Sequence, residues 1–84
     1  MAILHVIWDL DDDPEGNVQH IAEHGIGKAE VVEVLADPET REESRSSGRP
    51  VAVGTTRTGR TILVVYEEID EDTVYPVTAF DLED

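Results

Sequence analysis

Thr61-Ile62-Leu63-Val64-Val65-Tyr66 is the stretch on which the fold turns. Its β-branched and aromatic residues favour extended backbone. Side chains alternate across a strand, so Ile62, Val64 and Tyr66 point one way and Leu63 and Val65 the other. A strand apolar on both faces is expected in the middle of a sheet, covered by helices on one side. Just upstream, Thr58-Gly59 marks a hairpin turn, and Val51-Ala52-Val53 begins the strand that enters it. Downstream, residues 67–72 turn the chain into a last strand, Thr73 to Phe80. Within it Pro76 removes one ladder donor and argues for an edge or a bulge.

The first half of the chain reads differently. Ile3, Leu4, Val6, Ile7 and Trp8 form a strand stopped by the acidic run from Asp9 to Asp13. Asp13 then caps a helix from about Pro14 to His24, with proline at its first position and Gly25 as its stop. Val18, Ile21 and Ala22 are its core stripe, although Gly16 weakens the first turn. A second helix runs from Lys28 to Ala36, buried through Val31, Val32 and Leu35 and ended by Asp37-Pro38. Residues 39–48 are charged and serine-rich without a period, which reads as a mobile loop with room for a short edge strand. The expected fold is a small α+β domain with one antiparallel sheet, two helices in its N-terminal half and the order β-α-α-β-β-β. At 84 residues the chain is too short for two independent cores, so residues 1–84 read as one domain.

Charge narrows the functions. The formal net charge is -14, from 20 acidic residues against 6 basic ones. That field repels phosphate backbones and anionic lipids, which disfavours DNA and membrane surfaces as partners. The distribution is uneven, because Arg41, Arg45, Arg49, Arg57 and Arg60 hold five of the six cations. With only Glu42 and Glu43 among them, residues 41–60 carry +3 and the rest of the chain −17. The absence of cysteine excludes disulfides, thiolate metal sites and a cysteine nucleophile, and fits a reducing cytoplasm. The start of the chain lacks the basic and long apolar regions of a signal peptide, and no apolar run is long enough to cross a bilayer as a helix.

The element order, with Trp8-Asp9, His24-Gly25-Ile26, Asp37-Pro38, Gly54 and Gly59-Arg60 before an apolar strand, resembles the BrnT-type toxins over nearly the whole chain. The resemblance implies a RelE-like fold, a ribonuclease that stops translation, and neutralisation by a cognate antitoxin that also binds DNA. It also places His24, Arg49 and Arg60 where that family carries polar residues suited to RNA cleavage. Two positions depart from the pattern. Glu23 stands where the family has a basic residue, and Val77-Thr78-Ala79-Phe80 runs into Asp81-Leu82-Glu83-Asp84 in place of an arginine-bearing strand and a basic helix.

Metal-independent RNA cleavage needs a base, an acid and cations for the phosphorane charge. His24, Glu67 or Glu68, and Arg49 with Arg60 supply those residue types. His20 and His24, four apart on a helix, could face one metal, but no third ligand is evident, and no metal or other cofactor is expected. The acidic run fails as a calcium loop, because counting from Asp9 puts Pro14 and His20 where glycine and glutamate are required. Gly48, Gly54 and Gly59 are too scattered for a phosphate cradle, and Ser44, Ser46 and Ser47 are not set as nucleophiles. Two readings follow. One is a toxin-type domain with a protein partner such as a cognate antitoxin and with RNA as substrate. The other is a non-enzymatic acidic interaction module, a nucleic-acid mimic that meets a basic partner. A domain this small also gains from pairing, so a homodimer is a third partner to consider.

Overall fold

The computed structural model describes residues 5–43 and 48–82. Its order is β1 His5–Val6, α1 Asn17–Glu23, α2 Lys28–Ala36, β2 Thr40–Glu43, β3 Pro50–Thr55, β4 Thr61–Glu68 and β5 Thr73–Asp81. The strands form one sheet in the order β1-β5-β4-β3-β2, with β4 at its centre as its apolar pattern requires. The sheet is mixed, which corrects the all-antiparallel expectation: β1 runs parallel to β5. No hairpin joins those two strands, so no tight turn enforces a reversal between them. The edge strand β2 makes the described order β-α-α-β-β-β-β. Ile3 and Leu4 of the expected first strand, and Ser44 to Ser47 of the expected loop, lie outside the described residues.

One face of the sheet carries both helices. Ala52, Val64 and Ala79 stand in register across β3, β4 and β5. Together with Ile62, Tyr66 and Val74 they pack against Ile21, Val31, Val34 and Leu35 in a single cluster, with Val6 and Trp8 against its margin. The stripe of α2 is thus Val31, Val34 and Leu35, with the i, i+3, i+4 spacing of a one-sided helix. Val32, expected inside, is rotated one hundred degrees away from Val31 and lies exposed.

The first helix starts later than its sequence suggests. It begins at Asn17 with Gly16 as its N-cap, and Asp13 closes a turn ahead of it by accepting the Glu15 N–H. The Asp9 carboxylate takes the place of a local cap by accepting the Asn17 N–H at 2.8 Å. Gly16 is needed for that approach, since a Cβ there would lie 2.7 Å from Asp9 Cβ. Ala22, expected in the stripe, is exposed, and the buried pair is Asn17 and Ile21. The helix ends as expected at Gly25, whose φ of 75 turns the chain so that Gly25 N–H reaches Ala22 O and Ile26 N–H reaches Ile21 O.

Pro76 produces a bulge. The register between β4 and β5 slips between Val65 and Tyr66, so that Tyr66 faces Pro76 but Val65 faces Thr78. The extra residue, Val77, exchanges the faces of β5. Before it Val74 and Pro76 point into the core; after it Ala79 does, Asp81 takes the same side at its margin, and Phe80 turns to the other side.

Candidate functional site

Three neighbouring elements converge on Arg60. The turn that precedes it is closed by Thr56 N–H to Arg60 O, by Gly59 N–H to Thr56 O and by Arg60 N–H to Thr56 Oγ1. From the end of that turn the guanidinium donates through Nε to Asp81 Oδ2 at 3.0 Å. Its Nη1 donates to Glu30 Oε2 at 2.7 Å and to Gly25 O at 3.1 Å. Glu30 in turn accepts the Gly27 N–H that opens α2. Arg60 therefore joins the end of β5, the start of α2 and the turn after α1. The hydrogen bond to Asp81, followed by the effects of Glu30, holds its pKa above the ordinary arginine value. The bulge at Val77 makes this possible, because without it Asp81 would point to the opposite face.

His24 stands at the same end of the molecule. Its ring meets Phe80 edge-on at 4.8 Å and His20 at 5.5 Å between centroids. Arg49 and Glu67 stand elsewhere, paired with each other at 3.4 Å where β3 begins and β4 ends. Arg60 and Glu67 are separated by seven residues of extended chain, about 20 Å. The four candidates thus fall into two pairs at opposite ends of β4, too far apart to exchange a proton over one phosphodiester. Glu68, the other acid considered, is exposed near Glu67 at the end of β4.

The arginine cluster of the sequence does not form one patch. Arg57 pairs with Glu33 of α2, Arg60 with Glu30 and Asp81, and Arg49 with Glu67. Arg41 lies on β2, and Arg45 lies outside the described residues. The acidic run is dispersed as well. Asp11 pairs with Lys28 at 2.6 Å, and Lys28 lies over the Trp8 ring at 6.0 Å. Among the described residues no three His, Asp or Glu side chains are grouped to hold a metal ion. No helix of the described residues is long and apolar enough to cross a membrane.

Sequence reasoning missed a polar knot at the other margin of the sheet. The Asn17 side chain, buried, accepts the Asp9 N–H and donates to Ile7 O and to Pro76 O. Tyr75 donates to the same Asp9 carboxylate that caps α1, at 2.5 Å. The Tyr75 hydroxyl holds Asp9 below the usual carboxylate range, with the Asn17 N–H assisting. In the other direction, Asp9 pushes Tyr75 up to about 12. The only sequence signal was Trp8-Asp9, since nothing local announces a partner 66 positions away.

Two surface features remain. A groove of about 750 Å³ lies between α2 and the β3–β4 turn, with Ala29, Val32 and Ala36 on its helical wall. Its charged lining is paired, Lys28 with Asp11, Glu30 with Arg60 and Glu33 with Arg57. The second feature is the sheet face away from the helices. In register across it stand Val53, Leu63 and Phe80, then Val51, Val65 and Thr78. Leu63 and Val65 are half-buried and Phe80 is exposed. A solvated antiparallel face ordinarily carries polar side chains at such positions. No described helix runs across its centre, but Val51 is buried, the Thr78 hydroxyl is enclosed and His24, at the end of α1, meets the Phe80 ring.

No protein-family model, curated protein or solved structure matches the chain.

Proposed function

We propose that this chain is a protein-binding domain of toxin–antitoxin type, similar to the BrnT-type toxins in its layout, which acts by holding a partner and not by cutting RNA. The observation that carries this reading is the engagement of Arg60 by Asp81, Glu30 and the Gly25 carbonyl. A cation meant for a phosphorane must present donors to the substrate. Here those donors hold three segments of the fold together. The distance between the His24–Arg60 end and the Arg49–Glu67 end supports the same conclusion, as does a net charge of -14 that repels RNA. What the domain offers a partner is an acidic surface, in keeping with an interaction module that meets a basic protein.

The test is incubation of the purified protein with total RNA in chelator, beside Arg60→Ala and His24→Ala, followed by electrophoresis. The expected result is intact RNA in all three. Cleavage by the wild type that is lost in both variants would restore the ribonuclease reading of the BrnT-like layout.

A further inference from the structure

We infer that the helix-free face of the sheet is the docking surface, and that its occupant is a short amphipathic helix of another protein with lysine or arginine along its flanks. This rests on the binding-module reading and says where the partner lies and what it is made of.

The accessible apolar strip spans three adjacent strands, β3, β4 and β5, through Val53, Leu63 and Phe80 in one row and Val65 in the next, where Val51 is already buried; His24 borders it at the Phe80 ring. Three strands at their usual spacing are about 10 Å across, the diameter of one α-helix. Two rows flanked by the neighbouring positions run for about 15 Å, the length of roughly ten helical residues. The strip crosses strands instead of following an edge, so a helix covers it better than an added strand.

Charge decides whose helix. Glu42 shares the register of Val51 and Val65, and Glu67 shares that of Tyr75. Glu39 accepts the Thr55 hydroxyl at the same margin. Against these three carboxylates stands, among the described residues, Arg49, already paired with Glu67. A second copy of the chain would bring another net charge of -14 to this rim, and like charges brought together oppose association. A basic helix meets the rim with opposite charge and the strip with its apolar side.

The probe is a synthetic leucine–lysine peptide patterned as an amphipathic helix, titrated into the full chain by fluorescence anisotropy, with a leucine–glutamate peptide of the same pattern alongside. The leucine–lysine peptide is expected to bind and the leucine–glutamate peptide not to bind. Leu63→Ser removes an apolar contact from the middle of the strip and should weaken binding about tenfold. Leu10→Ser, at an exposed leucine off this face, should leave it unchanged. Glu42→Gln should weaken binding and flatten its salt dependence without touching the packing. The inference is overturned if Leu63→Ser and Leu10→Ser bind alike, which would reduce the attraction to charge alone. It is also overturned if the unliganded protein sediments as a dimer that Leu63→Ser dissociates, for then the face belongs to a second copy. Either outcome with RNA left intact leaves the binding-module reading standing; RNA cleavage removes that reading whatever the peptide does.

Discussion

Ile62 and Leu63 are adjacent on one strand, nearly equal in size, and meet opposite surroundings. Ile62 is wholly buried against Val34, Leu35 and the rest of the helical layer. Leu63 is half-buried in a row with Val53 and Phe80 on the sheet face turned away from the helical layer, where His24 borders the Phe80 ring. The difference teaches that apolar character on β4 serves two ends. On one face it is the cohesion of the domain; on the other it is surface held in readiness.

The largest expected effect lies on the covered face. Ile62→Ala should lower the free energy of unfolding by about 3–4 kcal/mol, through lost burial and a cavity that the close-packed layer cannot fill. Urea denaturation measures it directly. A loss below 1 kcal/mol would erase the distinction between the faces. Next comes the margin where the two faces meet. Asn17→Ala leaves the Ile7 and Pro76 carbonyls and the Asp9 N–H without their partner. It should cost about 2–3 kcal/mol, most of it from stranding buried polar groups.

At the opposite margin Arg60→Met should lower the urea midpoint by less, and by a smaller amount still in high salt, because the guanidinium is partly exposed and its pairs are screened. A midpoint unaffected at low salt would mean that Arg60 does not hold β5, α2 and the α1 turn together.

Tyr75 sharpens the comparison in another way. By register it belongs to the open face, beside Glu67, yet its hydroxyl is tied to Asp9. In the unfolded chain a tyrosine loses its proton near 10.0, whereas folded Tyr75 keeps it to about 12. Its contribution to stability is therefore complete below pH 10, falls as pH rises between those values and is gone above the higher one. A tyrosinate absorbance titration should show this late ionisation, and Asp9→Asn should bring it back toward the ordinary range. An Asp9→Asn titration identical to wild type would remove the bond from the account. At the acidic extreme the sign reverses. Asp9, held below the usual carboxylate range, contributes above that range and loses its contribution as pH falls through its folded value.

How much of this was legible beforehand follows from which forces act locally. The central place of Thr61–Tyr66, the bounds of α2 at Lys28 and Ala36, the stop at Gly25 and the bulge at Pro76 are set by alternation, helix-ending chemistry and a missing donor, all readable over a few residues. The late start of α1 was not, because its cap comes from Asp9, eight positions before Asn17, and needs the close approach that Gly16 permits. The parallel pairing of β1 with β5 escaped for a similar reason, since it joins residues nearly seventy positions apart. For the site, the residue types read in His24, Arg49, Arg60 and Glu67 are present, but the length of β4 keeps them in two pairs. Arginines crowded in sequence are parted in space because β3 carries Arg49 and Arg57 to opposite ends. The acids that engage Arg60 come from α2 and from the end of β5, and only the bulge decides that Asp81 faces it.

The central claim is that Leu63, at the middle of the open face, is apolar without being part of what holds the fold. Urea denaturation of Leu63→Thr, which removes apolar surface but puts in a β-branched residue suited to a strand, tests it most directly. The account predicts cooperative unfolding with a stability within about 1 kcal/mol of wild type, as partial exposure implies. A loss of about 3 kcal/mol or more, equal to that of a core substitution, would show that Leu63 is buried in the folded protein and would contradict the claim.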